Sequence, residues 1–216
     1  MMTLKCRYGV ALMSLLAVAS CSHRAPERTA PVDPFANLGI GQIPVSGLAG
    51  GGALLFPVGG ILFGDSLGGL ALQRGELLDR AGALLDSVLA RDAREVTWHD
   101  REAIRRILRR SPGLLSDPTG LPTGFLLAKR VEGLPDPLWS SLRTLGALTE
   151  ARVAVIPVAV RLEGRPGAVN ATYAVAVVDV RVGQLVWRGR VTGPDAPSPE
   201  AAFRAAAAAT VPSGIR

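Results

Sequence analysis

Two short stretches of this 216-residue sequence carry residues of a type and spacing that could do chemistry. The first is Cys21, which closes the run Val18-Ala19-Ser20-Cys21 behind an uncharged apolar segment, residues 9–19. The second is Ser66, in Phe63-Gly64-Asp65-Ser66-Leu67-Gly68, which fits the G-x-S-x-G spacing of a nucleophile elbow. A serine hydroxyl is a poor nucleophile at neutral pH and needs a base to take its proton. The chain offers two histidines, His23 and His99. His23 lies among N-terminal prolines, and no histidine follows His99. His99-Asp100 reads as a strand end and a helix cap rather than a catalytic pair. A turn that contains a serine is therefore the preferred reading of Ser66.

The Cys21 quartet resembles the bacterial lipobox, a branched apolar residue and two small ones before a cysteine. That resemblance implies a diacylglycerol on the Cys21 thiol, cleavage before it, and acylation of the new N-terminus. Lys5 and Arg7 supply a positive n-region, and residues 9–19 have the length of a secretory h-region. The segment is too short to cross a hydrocarbon core of ~30 Å as a helix. By resemblance to lipoprotein sorting rules in diderm bacteria, Ser22, rather than an aspartate there, favours the outer membrane, with the protein lipid-anchored and facing the periplasm. Cys6 leaves with the signal peptide and Cys21 is acylated, so the mature domain has neither thiol nor disulfide. Zinc sites of the usual ligand types then lack donors. No G-x-x-x-x-G-K-[ST] is present, and Asp65, Asp79 and Asp86 lack EF-hand spacing. No metal and no cofactor are expected.

Four sections follow from composition: a signal peptide at 1–20, a lipidated tether at 21–37, a Gly-rich lead-in at 38–52, and a domain at 53–216. The tether holds Pro26, Pro31 and Pro34 with few large apolar residues. The domain has about 160 residues, enough for one core. Losing Lys5 and Arg7 lowers the formal charge of +6 by two, and Lys129 is then the only lysine. In an exported protein this positive charge points to an anionic envelope partner or a solvated surface rather than to nucleic acid.

The elements that must position these residues alternate early and run together late. A strand at 53–58 and a Gly-rich strand and loop at 59–69 precede an amphipathic helix at 76–90. Residues 48–64 are uncharged and nearly long enough for a membrane segment, but glycines and Pro57 favour strand and loop. A strand at 95–98 leads to a helix at 101–110 capped by Asp100. Residues 111–135 form a long Pro- and Gly-rich loop with an apolar island at Phe125, Leu126 and Leu127. A helix at 138–150, strands at 153–160, 172–180 and 185–192, and a last helix capped by Ser198 complete the order. The fold class is α/β: a mixed sheet of about four to five strands covered by helices, with a C-terminal strand meander and a final helix.

Two stretches carry a family resemblance. Val96-Thr97-Trp98-His99-Asp100-Arg101-Glu102-Ala103-Ile104 is a strand entering an Asp-Arg-x-x-[Leu/Ile] helix start. Residues 174–187 read as an apolar strand, Asp179-x-x-x-Gly183-x-Leu185-Val186-Trp187, and a return strand. Together they resemble a superfamily of envelope lipoprotein domains. It includes the curli secretion-channel lipoprotein, outer-membrane lipoprotein activators of penicillin-binding proteins, and the N-terminal domain of the Tol-system propeller protein. The resemblance implies an accessory binding role in cell-wall synthesis, transport or export, with no shared catalytic residues. Partners would be the membrane, through the lipid, and an envelope protein or anionic envelope polymer; an oligomer is compatible with it. Arg101, Arg105 and Arg109 share one helix face and, with Phe125, Leu126 and Leu127, are the candidate partner-binding residues.

The block around Ser66 also resembles the Gly-Asp-Ser-Leu block of an esterase and lipase family. That family's base is a histidine near the C-terminus, three residues after an aspartate, and no such pair exists here. The chain is read as a non-enzyme, with an esterase-like hydrolase at Ser66 as the alternative.

Overall fold

A 15-residue strand, β5 (Ala151–Arg165), is the axis of the molecule. The computed structural model describes residues 33–110 and 118–212. Besides β5, the strands are β1 (Gly39–Ile40), β2 (Gly52–Leu55), β3 (Ile61–Phe63), β4 (Thr97–His99), β6 (Ala168–Asp179) and β7 (Gln184–Thr192). The helices are α1 (Arg74–Asp92), α2 (Arg101–Arg110), α3 (Leu138–Thr149) and α4 (Pro199–Ala209). The sheet order is β1-β7-β6-β5-β2-β4, with β3 also beside β5. β5, β6 and β7 form an antiparallel meander; β2, β3, β4 and β1 pair in parallel. The mixed α/β sheet, the meander and the final helix match the sequence reading, with seven strands where four to five were expected.

β1 lies in the Gly-rich lead-in, where no strand was read, while β2 overlaps the strand read at 53–58 and β3 falls in the Gly-rich strand and loop at 59–69. β2 pairs with β5 at Ala151–Val155 and β3 with Val160–Leu162, so both line the same side of β5. Between them lies Pro57, which cannot donate to a ladder. Pro157 poses the same problem inside central β5, and the β5–β6 register shifts between Pro157 and Ala159. A bulge is how a sheet interior accommodates a residue without an N–H. Residues 48–64 thus form strand and turn, and no helix among the described residues is long and apolar enough to cross a membrane.

Alternation along the strands sorts the apolar side chains into two cores. Leu55, Val155, Val160, Val175 and Val177 face α1 and α4, whose Leu85, Leu89 and Phe203 are fully buried. Leu54, Ile156, Ala176 and Val178 face Leu142 and Leu145 of α3 and Ile104 of α2. Tyr173, buried in β6, donates its hydroxyl to the Ala81 carbonyl of α1 at 2.9 Å. Caps read from the sequence are in place: Asp100 Oδ1 accepts from Ala103 N at 2.8 Å, and Ser198 Oγ from Ala201 N at 3.3 Å. Trp98, Trp139 and Trp187 are half-buried against these cores.

Packing begins before the lead-in. Phe35 and Leu38 are buried on the sheet face that α3 leaves open, against Ala159 and Ala174. Arg161 pairs with Asp33 and stacks its guanidinium 4.3 Å from the centroid of the Phe35 ring. The guanidinium's hydrogen bond holds the Asp33 carboxyl below the usual carboxylate range.

Candidate functional site

Cys21 lies outside the described residues. Ser66 is exposed, in a 3-10 helix, Asp65–Gln73, that follows β3. The strands separate it from the one described histidine. β3 aligns Phe63 with Leu162, whereas His99 aligns with Leu54 and Leu54 with Ala154. Eight residues of β5 at ~3.3 Å each put these points about 26 Å apart. His99 is therefore far outside hydrogen-bond reach of Ser66, as a nucleophile–base pair would require.

The arginine face of α2 is only partly free. Arg101 is drawn to Asp79 of α1, Nη1 to Oδ1 at 3.5 Å, and its Nε is buried without a hydrogen-bond partner. Arg105 and Arg109 are exposed. The apolar island is not displayed with them. Gly124–Leu127 forms a 3-10 turn whose Leu126 is fully buried against the α3-side core, with Phe125 and Leu127 half-buried beside it. Arg188 of β7 fastens the turn by donating to the carbonyls of Leu126 at 3.1 Å and Lys129 at 2.9 Å. An apolar triplet in a long loop reads alike as an interface or a plug; only the position of the core distinguishes them.

A feature the sequence reading missed is a cleft of about 800 Å³ at the starts of β2, β4 and β5. The glycine-rich turn 50–52 forms one wall and the C-terminal end of α3 another. His99 borders it: a Cβ built on Gly52 would lie 3.3 Å from His99 Nε2 and 3.1 Å from Ala151 Cα. Arg143 of α3, Arg152 of β5 and Arg181 of the β6–β7 turn also line it, with Glu150 the one carboxylate. All four are exposed. These residues are scattered singly along the sequence, so no local pattern could have flagged them.

A second site-like group surrounds Asp86 on α1. Burial pushes its carboxyl up to about 7, and nearby Asp100 adds to the rise against the opposing pull of Arg101. Among the described residues, no cluster of three or more His, Cys, Asp or Glu side chains could hold a metal ion.

No protein-family model and no curated protein matches the sequence. Several solved structures are similar to this one. One is the C-terminal domain of LpoB from Salmonella enterica: 17% identity, 67% of this chain and 82% of that chain, TM-score 0.39. Another is lipoprotein GNA1162 from Neisseria meningitidis: 11% identity, 67% of this chain and 81% of that chain, TM-score 0.34. A third is PelC from Paraburkholderia phytofirmans, a dodecamer: 10% identity, 74% of this chain and 85% of that chain, TM-score 0.35.

Proposed function

We propose that the protein is a lipid-anchored periplasmic accessory lipoprotein that works by binding, in an envelope process such as cell-wall synthesis, transport or export. The observation that carries the reading is Val18-Ala19-Ser20-Cys21 behind an uncharged run and a positive n-region. The described domain then starts close to the cysteine. Residues 22–32 separate Cys21 from Asp33, a span of at most about 40 Å fully extended. By resemblance to lipoprotein sorting signals, Ser22 rather than an aspartate after the cysteine supports the outer membrane. Arg105 and Arg109 are candidates for contact with an envelope protein or anionic polymer, as arginine presents planar donors to carboxylate and phosphate groups. The separation of about 26 Å along β5 between the points aligned with Phe63, three residues before Ser66, and with His99 counts against the hydrolase alternative.

The test is metabolic labelling with an alkyne fatty acid. Wild-type protein should label and fractionate with the outer membrane. Cys21→Ala should remain unlabelled and unprocessed. Equal labelling of the two would sink the reading.

A further inference from the structure

We propose that the cleft between the 50–52 turn and the end of α3 binds a small soluble anion carrying at least two phosphate or carboxylate groups. The first support is charge. Arg143, Arg152 and Arg181 line the cleft and have no carboxylate partner among the described residues. Arg80, Arg91, Arg101, Arg161 and Arg204, by contrast, are engaged with acids of this chain. Arg74, Arg105, Arg109 and Arg190 also lack a carboxylate partner among the described residues, but Arg74 and Arg190 line two separate clefts, and Arg105 and Arg109 stand on a helix surface.

The opposing charges are weaker. Glu150 contributes one carboxylate. The C-terminal carbonyls of α3 act as about half a negative charge. Three guanidinium groups outweigh both, so the cleft is net positive. Without the arginines the helix end would repel an anion, so their placement decides what the cleft accepts.

The second support is shape. A volume of about 800 Å³ falls within the range of ~300–1,000 Å³ common for small-molecule sites. Its walls are rigid where a ligand would lean on them. Gly146 of α3 packs so closely that a Cβ would meet Val180 Cγ2 at 2.6 Å, and Gly52 is confined by Ala151 and His99. Arg143 is steadied over the Trp139 ring, 5.3 Å from its centroid, which limits the entropy lost on binding. The arginines arrive from three separate elements, so their forks can engage more than one anionic group at once. This proposal does not depend on the anchor at Cys21.

The test is calorimetric titration of the full chain, purified in detergent at low ionic strength, with inorganic pyrophosphate and, separately, citrate. Saturable binding of at least one is expected; which one binds more tightly assigns phosphate or carboxylate chemistry. The double substitution Arg152→Ala and Arg181→Ala should weaken it by about tenfold or more, as expected for loss of charge-assisted contacts. Replacing Arg165, at the far end of β5, and Arg204 of α4 with Ala, both outside the cleft, should change it by less than about twofold. If the alanine pair alters the circular dichroism spectrum, Arg152→Lys with Arg181→Lys serves instead: it keeps the charge, loses the fork, and should weaken binding to an intermediate degree. The proposal is overturned if neither probe binds saturably below about 1 mM, or if the Arg165 and Arg204 substitutions weaken binding as much as the cleft substitutions.

Discussion

At the scale of single residues, Asp86 links packing to pH. Its carboxyl is pushed up to about 7 by burial and by Asp100, with Arg101 pulling the other way and Tyr173 also within electrostatic range. An unfolded aspartate titrates near 3.9. Between about pH 4 and pH 7 the folded chain therefore holds a proton that the unfolded chain has released. Stability from this group must fall as pH rises through that window and level off above it. A shift of this size corresponds to a few kcal/mol at most, about 1.4 kcal/mol per unit. Asp86→Asn should raise stability at pH 8 by about 1–3 kcal/mol and change it little at pH 4. Urea unfolding at the two pH values checks this; equal offsets at both would show that Asp86 ionises normally. The same residue-level logic sets Ser66 apart: it is exposed, and its strand neighbourhood is distant from the described histidine.

At the scale of elements, the join between α3 and the sheet is the tightest test of the packing. Gly146 lies under Val180 and beside the Ala151 carbonyl, where a Cβ would meet atoms at 2.6 and 2.9 Å. Gly146→Ala should destabilise by about 1–3 kcal/mol through overpacking. Gly47, in the 3-10 turn Val45–Leu48, has nothing within 4 Å of a built Cβ. Gly47→Ala should therefore change stability by no more than about 0.5 kcal/mol. Chemical denaturation of the pair decides it; similar losses at both would mean that α3 does not pack so closely. The β6–β7 turn belongs to the same scale. Gly183 has φ 67°, the left-handed conformation that favours glycine, and a Cβ there would also strike the Trp139 ring at 2.7 Å.

At the scale of the whole molecule, two helix layers cover one sheet unequally. α1 and α4 cover their face together, whereas α3 and α2 leave part of the other face to residues 33–38. Phe35, fully buried, closes that gap under the Arg161 guanidinium. The segment before β1 is thereby part of the core. Phe35→Ala should destabilise by about 3–5 kcal/mol, more than expected for a residue in a solvated tether. Thermal and urea unfolding of the full chain measure it, and a loss below about 0.5 kcal/mol would show that the segment does not pack on the sheet.

Local pattern alone made much of this protein legible. Helix α2 occupies the span read from its apolar face and its Asp100 cap, because a capped amphipathic helix is encoded within ten neighbouring residues. β5 and β6 announce themselves as Val- and Ala-rich runs, because strands buried on both faces have no polar alternation. Tertiary structure alone decided four things. It placed β2 and β3 on one side of β5, since parallel pairing joins residues about a hundred positions apart and leaves no local mark. It buried Leu126 and Phe35, since an apolar residue in a loop carries no signal of which surface it meets. It set β3, which leads to Ser66, and the position of His99 against separate points along β5, a distance that spacing in the chain does not measure. It gathered Arg143, Arg152 and Arg181 around one cleft, because sheet order, not sequence order, determines which charges share a cavity.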